Sequence, residues 1–407
     1  MKKMVNVAVL GYGTVGSGVV EVIKTNQNVV NKKSGQEIHV KYVLDLREFP
    51  GDPVMDILVH DYDVILNDPE VEVIAEVMGG VEPAYTFVKA ALEKGKSVCT
   101  SNKELVAKHG PELIKIAKEH NRNFLFEASV GGGIPIIRPL NQCITADEIN
   151  SITGILNGTT NYILTKMSKE GLDFDTVLKE AQDLGYAERN PSADVDGFDA
   201  CRKIAILSSL AYGKSVDFED VYTEGITKIS DIDFKYANIL GTSVKLFGKA
   251  EKKENGINVF VAPVMIDSNH PLYSVNGVFN AILVNGNVLD DIMFYGSGAG
   301  KLPTASAVVS DIVDAVRNLN TSTYVEWSEE KLEVADIKES KKKFFVRVSG
   351  TEAEKLDAVK AAFGDVQTVK VEGLDDEFAF ITDVISEKEY DELSEKVEGI
   401  ITRIRME

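Results

Sequence analysis

Cysteine and histidine are scarce in this chain, which has three cysteines and five histidines among 407 residues. The cysteines, Cys99, Cys143 and Cys201, are odd in number and far apart, and no cysteine or histidine shows the short spacing of a zinc site. So few cysteines also argue against a disulfide framework. The chain is therefore expected in a reducing compartment, the cytoplasm.

The sequence has fewer basic than acidic residues, and it has no long apolar runs. The 44 Lys and Arg stand against 64 Asp and Glu, which gives a formal net charge of −20. This charge argues against nucleic acid and against an anionic membrane as partners, and it leaves a small-molecule substrate open. No run reaches the length of a membrane span, and the run Val5–Leu10 ends at a glycine loop, unlike a signal peptide.

The first third of the chain alternates short apolar runs with helical patterns. Asn6–Leu10 predicts a buried strand that leads into a glycine-rich loop and then into a helix. Strands that alternate with helices predict a parallel sheet covered on both faces. Further strands are predicted at 38–44, 64–66, 73–78, 97–100 and 124–128, further helices at 83–94 and 104–119, and a polar loop at 26–36.

Gly11, Gly13 and Gly16 have the spacing of a dinucleotide-binding loop. The first glycine permits a tight turn, the second lets the backbone approach a pyrophosphate, and the third lets the helix pack on the strand. The alternative is a glycine turn without a ligand, which the flanking strand and helix make less attractive. Asp45 ends the second strand and would bond the ribose of NAD, whereas Arg47 would meet the 2′-phosphate of NADP, so the cofactor choice stays open, with a slight preference for NAD.

Past residue 138 the pattern changes to a second sheet with several helices. The fold class is α/β, with a Rossmann dinucleotide-binding domain, an α+β domain and a carboxyl-terminal ferredoxin-like module. The predicted bounds are 1–138 for the first domain, completed by about 301–325, then 139–300 for the second, a polar linker at 321–340, and 341–407 for the module. Predicted elements beyond 138 are strands at 149–156 and 259–266, helices at 159–168, 174–184, 198–212 and 305–317, and a module read as β-α-β-β-α with its last helix at 387–403.

The segment Leu184–Lys203 concentrates charged residues in front of an apolar helix. Asp199 and Lys203 are spaced i, i+4, so they share one face of that helix. A lysine beside a carboxylate and near apolar surface can act as a proton donor. The alternative is a capped helix with an ordinary surface ion pair.

Three other segments place polar groups at strand ends and helix starts. Lys103 opens a helix, where its charge opposes the helix dipole, so its pKa is predicted to be lowered unless it is simply solvated. Gly158 and Thr159 bring amides and a hydroxyl to another helix start, which suits a carboxylate or merely caps the helix. The glycine-rich loop Glu127–Pro135 offers carbonyl oxygens to a hard monovalent cation, or else is a hinge.

Together these segments resemble homoserine dehydrogenase over about residues 1–325, and the last module is similar to the ACT domain of many bacterial members. The resemblance implies conversion between L-homoserine and L-aspartate 4-semialdehyde with NAD or NADP, on the route to threonine, methionine and isoleucine. The segments that carry it are 11–16, 101–103, 127–135, 156–163, 185–203 and 298–308.

The resemblance also assigns roles to residues. It implies that Lys203 is the proton donor, that Asp199 orients the substrate, and that Glu188 holds the substrate ammonium. Lys103 would contact substrate and nicotinamide and share in proton transfer. The domain at 139–300 would be catalytic and would form a homodimer or homotetramer. Other implied contacts are Gly158 and Thr159 to substrate, Gly11, Gly13, Thr14, Val15, Gly16, Asp45 and Gly300 to cofactor, and Glu127, Val130, Gly132 and Ile134 to a monovalent cation, Na⁺ or K⁺.

Two departures from the family pattern stand out. Asn190 replaces an aspartate of many members, with little expected effect. The loop Val348–Lys355 lacks the Asp-x-Pro-Gly-type turn of ACT modules that bind an amino acid, so an amino-acid effector such as threonine is left open. Two rival functions are an aspartate-semialdehyde dehydrogenase, which needs a nucleophilic cysteine in a histidine-bearing setting, and a dinucleotide-sensing regulator, which would not need the lysines and carboxylates above.

Overall fold

A computed structural model describes residues 3–254 and 256–407. The chain forms two compact units. The first runs to Ile149 and adds Ala205–Phe218 and Phe294–Leu332, and the second comprises Asn150–Ile204, Glu219–Met293 and Glu333–Glu407. No helix in the described part of the chain is long and apolar enough to cross a membrane.

The amino-terminal region is built from six short strands and six helices. They are β1 Met4–Leu10, α1 Thr14–Thr25, α2 Gln27–Ser34, β2 Glu37–Leu44, β3 Leu58–Val59, α3 Tyr62–Leu66, β4 Val71–Glu76, α4 Ala84–Glu93, β5 Ser97–Thr100, α5 Lys103–Glu119, β6 Phe124–Leu125 and α6 Ile137–Gln142.

The six strands form a parallel sheet in the order β3-β2-β1-β4-β5-β6. This is the doubly wound order in which a dinucleotide binds at the carboxyl ends of the strands, where β1 and β4 diverge. Val5, Val7 and Val9 of β1 are fully buried, as expected for a strand covered on both faces. The predicted Rossmann fold is therefore confirmed.

Three local predictions in this region are wrong. The strand predicted at 64–66 is the helix α3, because the Asp61 side chain accepts the Asp63 N–H and caps its start. The polar loop predicted at 26–36 contains α2, which buries Val30 and ends at Gly35 with φ +78°. The strand predicted at 124–128 stops at Leu125, and a 3-10 turn at Glu127–Ser129 follows.

The rest of the chain supplies the second sheet and the helices around it. The elements are β7 Ile149–Ile155, α7 Gly158–Glu170, α8 Phe174–Asp183, α9 Ser192–Val195, α10 Phe198–Tyr212, β8 Lys214–Ser215, β9 Tyr222–Thr223, α11 Asp231–Leu240, β10 Thr242–Lys252, β11 Ile257–Asp267, β12 Phe279–Gly286, β13 Asp290–Ser297, α12 Lys301–Arg317, β14 Ser328–Lys331, β15 Lys341–Ser349, α13 Glu352–Phe363, β16 Gln367–Val369, β17 Glu377–Ile381, β18 Ile385–Ser386, α14 Glu387–Ser394 and β19 Ile400–Met406.

The helix α12 belongs to the core of the first unit, although it begins 159 residues after the end of α6. Its Ala305 and Val308 are buried in one apolar cluster with Val19 and Ile23 of α1. A Cβ on Gly18 would lie 2.9 Å from the Lys301 carbonyl oxygen, so the start of α12 lies against α1.

The carboxyl-terminal module has the β-α-β-β-α-β order of a ferredoxin-like fold, with strands in the order β19-β15-β17-β16. The helix predicted at 387–403 is wrong, because α14 ends at Ser394 and β19 follows. Alternating β-branched residues and a buried Arg405 suit a strand between two neighbours. β19 pairs with β15 and also, in parallel, with β11, so the module's sheet continues that of the second unit.

Candidate active site

The glycine loop connects β1 to α1 at the carboxyl edge of the parallel sheet. Gly11 has φ +95°, and its amide donates to the Leu44 carbonyl at 2.8 Å. A Cβ on Gly16 would lie 1.9 Å from the Gly11 carbonyl oxygen, so only glycine allows this close turn. Thr14 and Val15 form the first turn of α1, where open amides suit the phosphates of a dinucleotide.

The Asp45 carboxylate lies beside this loop and is fully engaged. Its Oδ2 accepts the Tyr12 N–H at 2.8 Å and Arg47 Nη2 at 2.9 Å, and its Oδ1 accepts the Arg47 amide and Nε at 2.9 and 3.0 Å. These donors use the roughly four lone-pair sites of a carboxylate. The Arg47 hydrogen bonds, followed by the amide bonds, hold the Asp45 pKa well below its usual range. The two residues that were predicted to favour NAD and NADP therefore form an ion pair with one another.

Lys103 is the first residue of α5 and lies three residues after Thr100, the last residue of β5. It is half-buried, and the Asn102 side chain caps its helix by accepting the Leu105 N–H at 3.1 Å. β5 is the neighbour of β4 in the sheet, so Lys103 belongs to the edge that carries the glycine loop. The lowered pKa of Lys103 stays a prediction.

Lys203 and Asp199 form a buried ion pair in the first turns of α10. Lys203 Nζ is 2.7 Å from Asp199 Oδ2 and donates to the Leu156 carbonyl at 2.8 Å. The two residues are 8% and 3% exposed, so the alternative of a surface ion pair is excluded. Gly197, with φ +88°, turns the chain into this helix, and a Cβ there would lie 3.1 Å from Thr223.

Asn157 joins this pair to two neighbouring elements and was not among the predicted site residues. Its Nδ2 donates to Asp199 Oδ2 at 2.8 Å and to Asp194 Oδ1 at 2.7 Å, while its Oδ1 accepts the Thr160 N–H and caps α7. One amide thus fixes both carboxylates. The only signal in the sequence was an asparagine at a helix start, which commonly indicates capping alone.

The predicted substrate contacts Gly158 and Thr159 open α7 next to Asn157. Thr159 Oγ1 donates to the Tyr186 carbonyl at 2.6 Å and so ties α7 to the segment that carries Glu188. A Cβ on Gly158 would lie 2.7 Å from the Val278 carbonyl oxygen. Glu188 is exposed, and no hydrogen bond or ion pair engages its carboxylate within the described residues.

The loop predicted to hold a monovalent cation folds tightly around Glu127. The Glu127 carboxylate, 3% exposed, accepts the amides of Ile136, Ile137 and Arg138 at 2.6–2.8 Å. Gly132 has φ +58°, and a Cβ there would lie 2.2 Å from the Gly298 carbonyl oxygen. No group of three or more His, Cys, Asp or Glu side chains suited to a metal ion occurs in residues 3–254 and 256–407.

Comparisons with known proteins identify the family. The family model described as homoserine dehydrogenase matches residues 135–313, and the model of its NAD-binding domain matches residues 11–127. A homoserine dehydrogenase of Synechocystis is 46% identical over 325 residues, which are 78% of this chain and 75% of that protein. A homoserine dehydrogenase structure from Thiobacillus denitrificans covers 100% of this chain and 99% of that chain, with a TM-score of 0.93 and 34% identity.

A further solved structure, a hyperthermophilic archaeal homoserine dehydrogenase in complex with NADPH, covers 77% of this chain and 97% of that chain, with a TM-score of 0.66 and 30% identity. The two family models together span the glycine loop, the Lys103 segment and the Lys203–Asp199 pair. The resemblance to homoserine dehydrogenase over about residues 1–325 is therefore confirmed, and neither rival function is needed. The chain belongs to the homoserine dehydrogenase family and is a nicotinamide-dependent oxidoreductase.

Proposed function

We propose that Lys203 is the proton donor and acceptor of the homoserine dehydrogenase reaction, held in place by Asp199. The observation that carries this proposal is the buried pair with 2.7 Å between Lys203 Nζ and Asp199 Oδ2. Burial of an ion pair costs desolvation energy, so its position at a polar loop rather than in an apolar core favours a role in chemistry. Asn157 supports the same carboxylate from the other side.

The chemistry of the reaction requires such a group. When bound, the nicotinamide supplies a hydride to the aldehyde carbon or accepts one from the alcohol. Negative charge then develops on the carbonyl oxygen, and Lys203 stabilises it and transfers a proton to it. In the reverse direction Lys203 takes the proton from the homoserine hydroxyl. Asp199 keeps the ammonium oriented in both directions.

An α-amino acid substrate also needs an anion for its ammonium group and donors for its carboxylate. Glu188 is exposed and unpaired within the described residues, and it is linked to the start of α7 through Thr159 and Tyr186. We assign the ammonium to Glu188 and the carboxylate to Gly158 and Thr159, since helix-start amides favour anions. Lys103 keeps the proposed contact with substrate and nicotinamide, which rests on the resemblance.

The loop around Glu127 fits a monovalent cation, Na⁺ or K⁺. No amide or side chain in residues 3–254 and 256–407 donates to the carbonyl oxygens of Val130, Gly132 or Ile134. Glu127 Oε2 accepts a single amide N–H, so this oxygen keeps a lone pair that can bind the cation. Turnover compared in NaCl, KCl and choline chloride tests this assignment, and equal rates in all three would contradict it.

The cofactor loop fits both NAD and NADP, since Asp45 and Arg47 are paired with one another. The sequence alone leaned slightly to NAD, and that preference stays a proposal. A homodimer or homotetramer formed through the domain at 139–300 and a cytoplasmic location are expectations from the sequence, and they stay so. Whether an amino-acid effector binds the carboxyl-terminal module stays open.

Replacement of Lys203 tests the central proposal. In Lys203→Ala we expect kcat for L-homoserine oxidation to fall at least about a hundredfold, the usual contribution of a positioned acid or base, while dinucleotide affinity changes little. Lys179→Ala is the matched control, because Lys179 and Asp183 are also spaced i, i+4 but are 68% and 64% exposed. Steady-state rates and dinucleotide titrations measure both effects. Unchanged turnover in Lys203→Ala would sink the assignment.

A further inference from the structure

A buried carboxyl group at the carboxyl edge of the parallel sheet has no part in the reaction as described above. Glu76 is the last residue of β4 and is fully buried, and so is Thr100, the last residue of β5. No ion pair with a lysine or arginine engages Glu76 within the described residues, and its partners are neutral donors. A carboxyl group buried in this way is a cost to folding rather than a gain.

The donors around Glu76 close a ring of hydrogen bonds. Glu76 Oε1 accepts the Met78 N–H at 2.8 Å, and Oε2 accepts the Thr100 hydroxyl at 2.5 Å. The same hydroxyl oxygen accepts the Asn102 N–H at 2.9 Å, and Asn102 Nδ2 donates to the Gly80 carbonyl at 2.7 Å. Gly80 lies in the same loop as Met78, so the ring joins the loop after β4 to the loop after β5.

Both loops matter for the proposed function. The loop after β4 packs on the glycine loop, because a Cβ on Gly11 would lie 3.1 Å from Met78 Cγ. The loop after β5 ends in Asn102, whose side chain caps α5, and Lys103 is the next residue. In a doubly wound sheet, this edge is where a dinucleotide binds.

We propose that Glu76 is a positioning residue, which through Thr100 and Asn102 fixes Lys103 relative to the loop after β4, which packs on the glycine loop. This inference rests on the proposed function of Lys103. Glu76 itself touches neither substrate nor cofactor, and its effect passes through the ring. A displacement of about 1 Å at a reacting group lowers a rate by as much as about a hundredfold, so a ring of this kind can control kcat without a large effect on affinity.

Burial raises the pKa of Glu76, while its hydrogen bonds with Thr100, Met78 and Asn102 oppose that rise. The neutral donors therefore substitute for water around a group that has no cationic partner. This arrangement agrees with a carboxyl group whose role is to hold the loops after β4 and β5 in position.

The test uses near-isosteric changes on both sides of the ring. Glu76→Gln replaces one acceptor oxygen of the carboxylate with an NH2 group, which donates. Thr100→Val removes the hydroxyl while keeping the shape of the side chain. Ser97→Ala is the matched control, because Ser97 is fully buried at the opposite end of β5 and, within the described residues, its hydroxyl accepts only the Asn123 N–H, at 3.2 Å. Thr100→Ser restores the hydroxyl and should restore the rate.

We expect Glu76→Gln and Thr100→Val to lower kcat for homoserine oxidation at least tenfold, with KM for both substrates changed less than threefold. In urea unfolding, both variants should have a free energy of unfolding close to that of Ser97→Ala. The kcat of Ser97→Ala should stay within twofold of that of the parent chain. In the Lys103→Ala background, Glu76→Gln should lower kcat by less than twofold, because the group that it positions is gone. If either variant folds too poorly to assay, the other carries the same comparison.

Three results would overturn the inference. If Glu76→Gln and Thr100→Val lose no more activity than Ser97→Ala, the ring is merely structural. If Lys103→Ala lowers kcat and Glu76→Gln lowers it further by its full factor in the same chain, Glu76 does not act through Lys103. The proposed role of Lys103 then survives. Full activity in Lys103→Ala alone would refute the proposed role of Lys103 and this inference with it.

Discussion

The proposed choice between the two cofactors rests on a single residue pair, Asp45 and Arg47. The carboxylate that would bond the NAD ribose is occupied by the guanidinium that would bond the NADP phosphate. While the pair is formed, neither side chain is available to the cofactor group that it would bind. Since Arg47 is 63% exposed on its side chain and Asp45 only 9%, Arg47 is the partner that can swing away.

Removal of either partner should unmask the other. In Arg47→Ala, Asp45 is free for a ribose hydroxyl and repels a 2′-phosphate, so the kcat/KM ratio of NAD to NADP should rise about tenfold or more. In Asp45→Ala, the ratio should move the opposite way. Initial rates with both cofactors measure these ratios, and Glu48→Ala serves as a control beside the pair. A shift in the same direction in both variants would contradict the masking.

Lys245 shows what burial does to one residue away from the site. It is 2% exposed on β10 and donates to the Val275 carbonyl at 2.6 Å and to Asn276 Oδ1 at 2.9 Å, both uncharged. Burial, together with repulsion from Lys169, lowers the pKa of Lys245 to about 8. Below that pH both the folded and the unfolded chain hold the proton. Between pH 8 and the ordinary lysine pKa, only the unfolded chain does.

Stability should therefore rise with pH in that window, by up to about 1.4 kcal/mol per unit for this group. Urea unfolding at about pH 7.5 and about pH 9.5 would be compared in the parent chain and in Lys245→Met, which cannot titrate. From the lower to the higher pH, the unfolding free energy of the parent chain should rise by roughly 2 kcal/mol relative to that of Lys245→Met. A difference independent of pH would show that Lys245 keeps an ordinary pKa.

At the scale of elements, β15 is anchored to α11 and β17 by one arginine. Arg347 is 4% exposed and bonds Asp233 at 2.8 Å and Glu377 at 2.8 and 3.0 Å. Asp233 is fully buried and also completes the capping box of α11. The arginine thereby joins the carboxyl-terminal module to the helix that precedes β10.

Arg347→Met should leave two carboxylates unpaired and cost about 3–5 kcal/mol of unfolding free energy. Lys370→Met is the control in the same module, because its pair with Glu352 is on the surface and contributes at most about 1 kcal/mol. Denaturant unfolding of both variants gives the comparison. Equal losses would mean that the buried network adds nothing beyond a surface pair.

At the scale of the whole molecule, the module is an extension of the second sheet rather than a separate body, since β19 pairs with both β15 and β11. Its first loop also lacks the turn expected of an amino-acid-binding ACT domain. We therefore predict that L-threonine changes neither kcat/KM nor the sedimentation coefficient, and that the sedimenting species is at least a dimer. Inhibition by threonine, or a monomer, would contradict this.

Much of the fold and of the site could be predicted because its signals are local. Apolar runs of four to eight residues give strands, the glycine spacing gives the cofactor turn, and the i, i+4 spacing of Asp199 and Lys203 places them on one helix face. Where prediction failed, local patterns were ambiguous. The run 64–66 suits a strand or a helix, and only the cap at Asp61 decides between them.

The sequence by itself determined the family, the parallel sheet and the pairing of Lys203 with Asp199, because each depends on residues close together in the chain. Only the tertiary structure decided that Asp45 and Arg47 neutralise one another beside the amide of Tyr12, that Asn157 joins two carboxylates, and that β19 completes a shared sheet. It also decided the ring at Glu76. Its partner Thr100 lies 24 residues away, and strand order alone makes them neighbours, because hydrogen bonds between strand ends depend on topology and not on spacing.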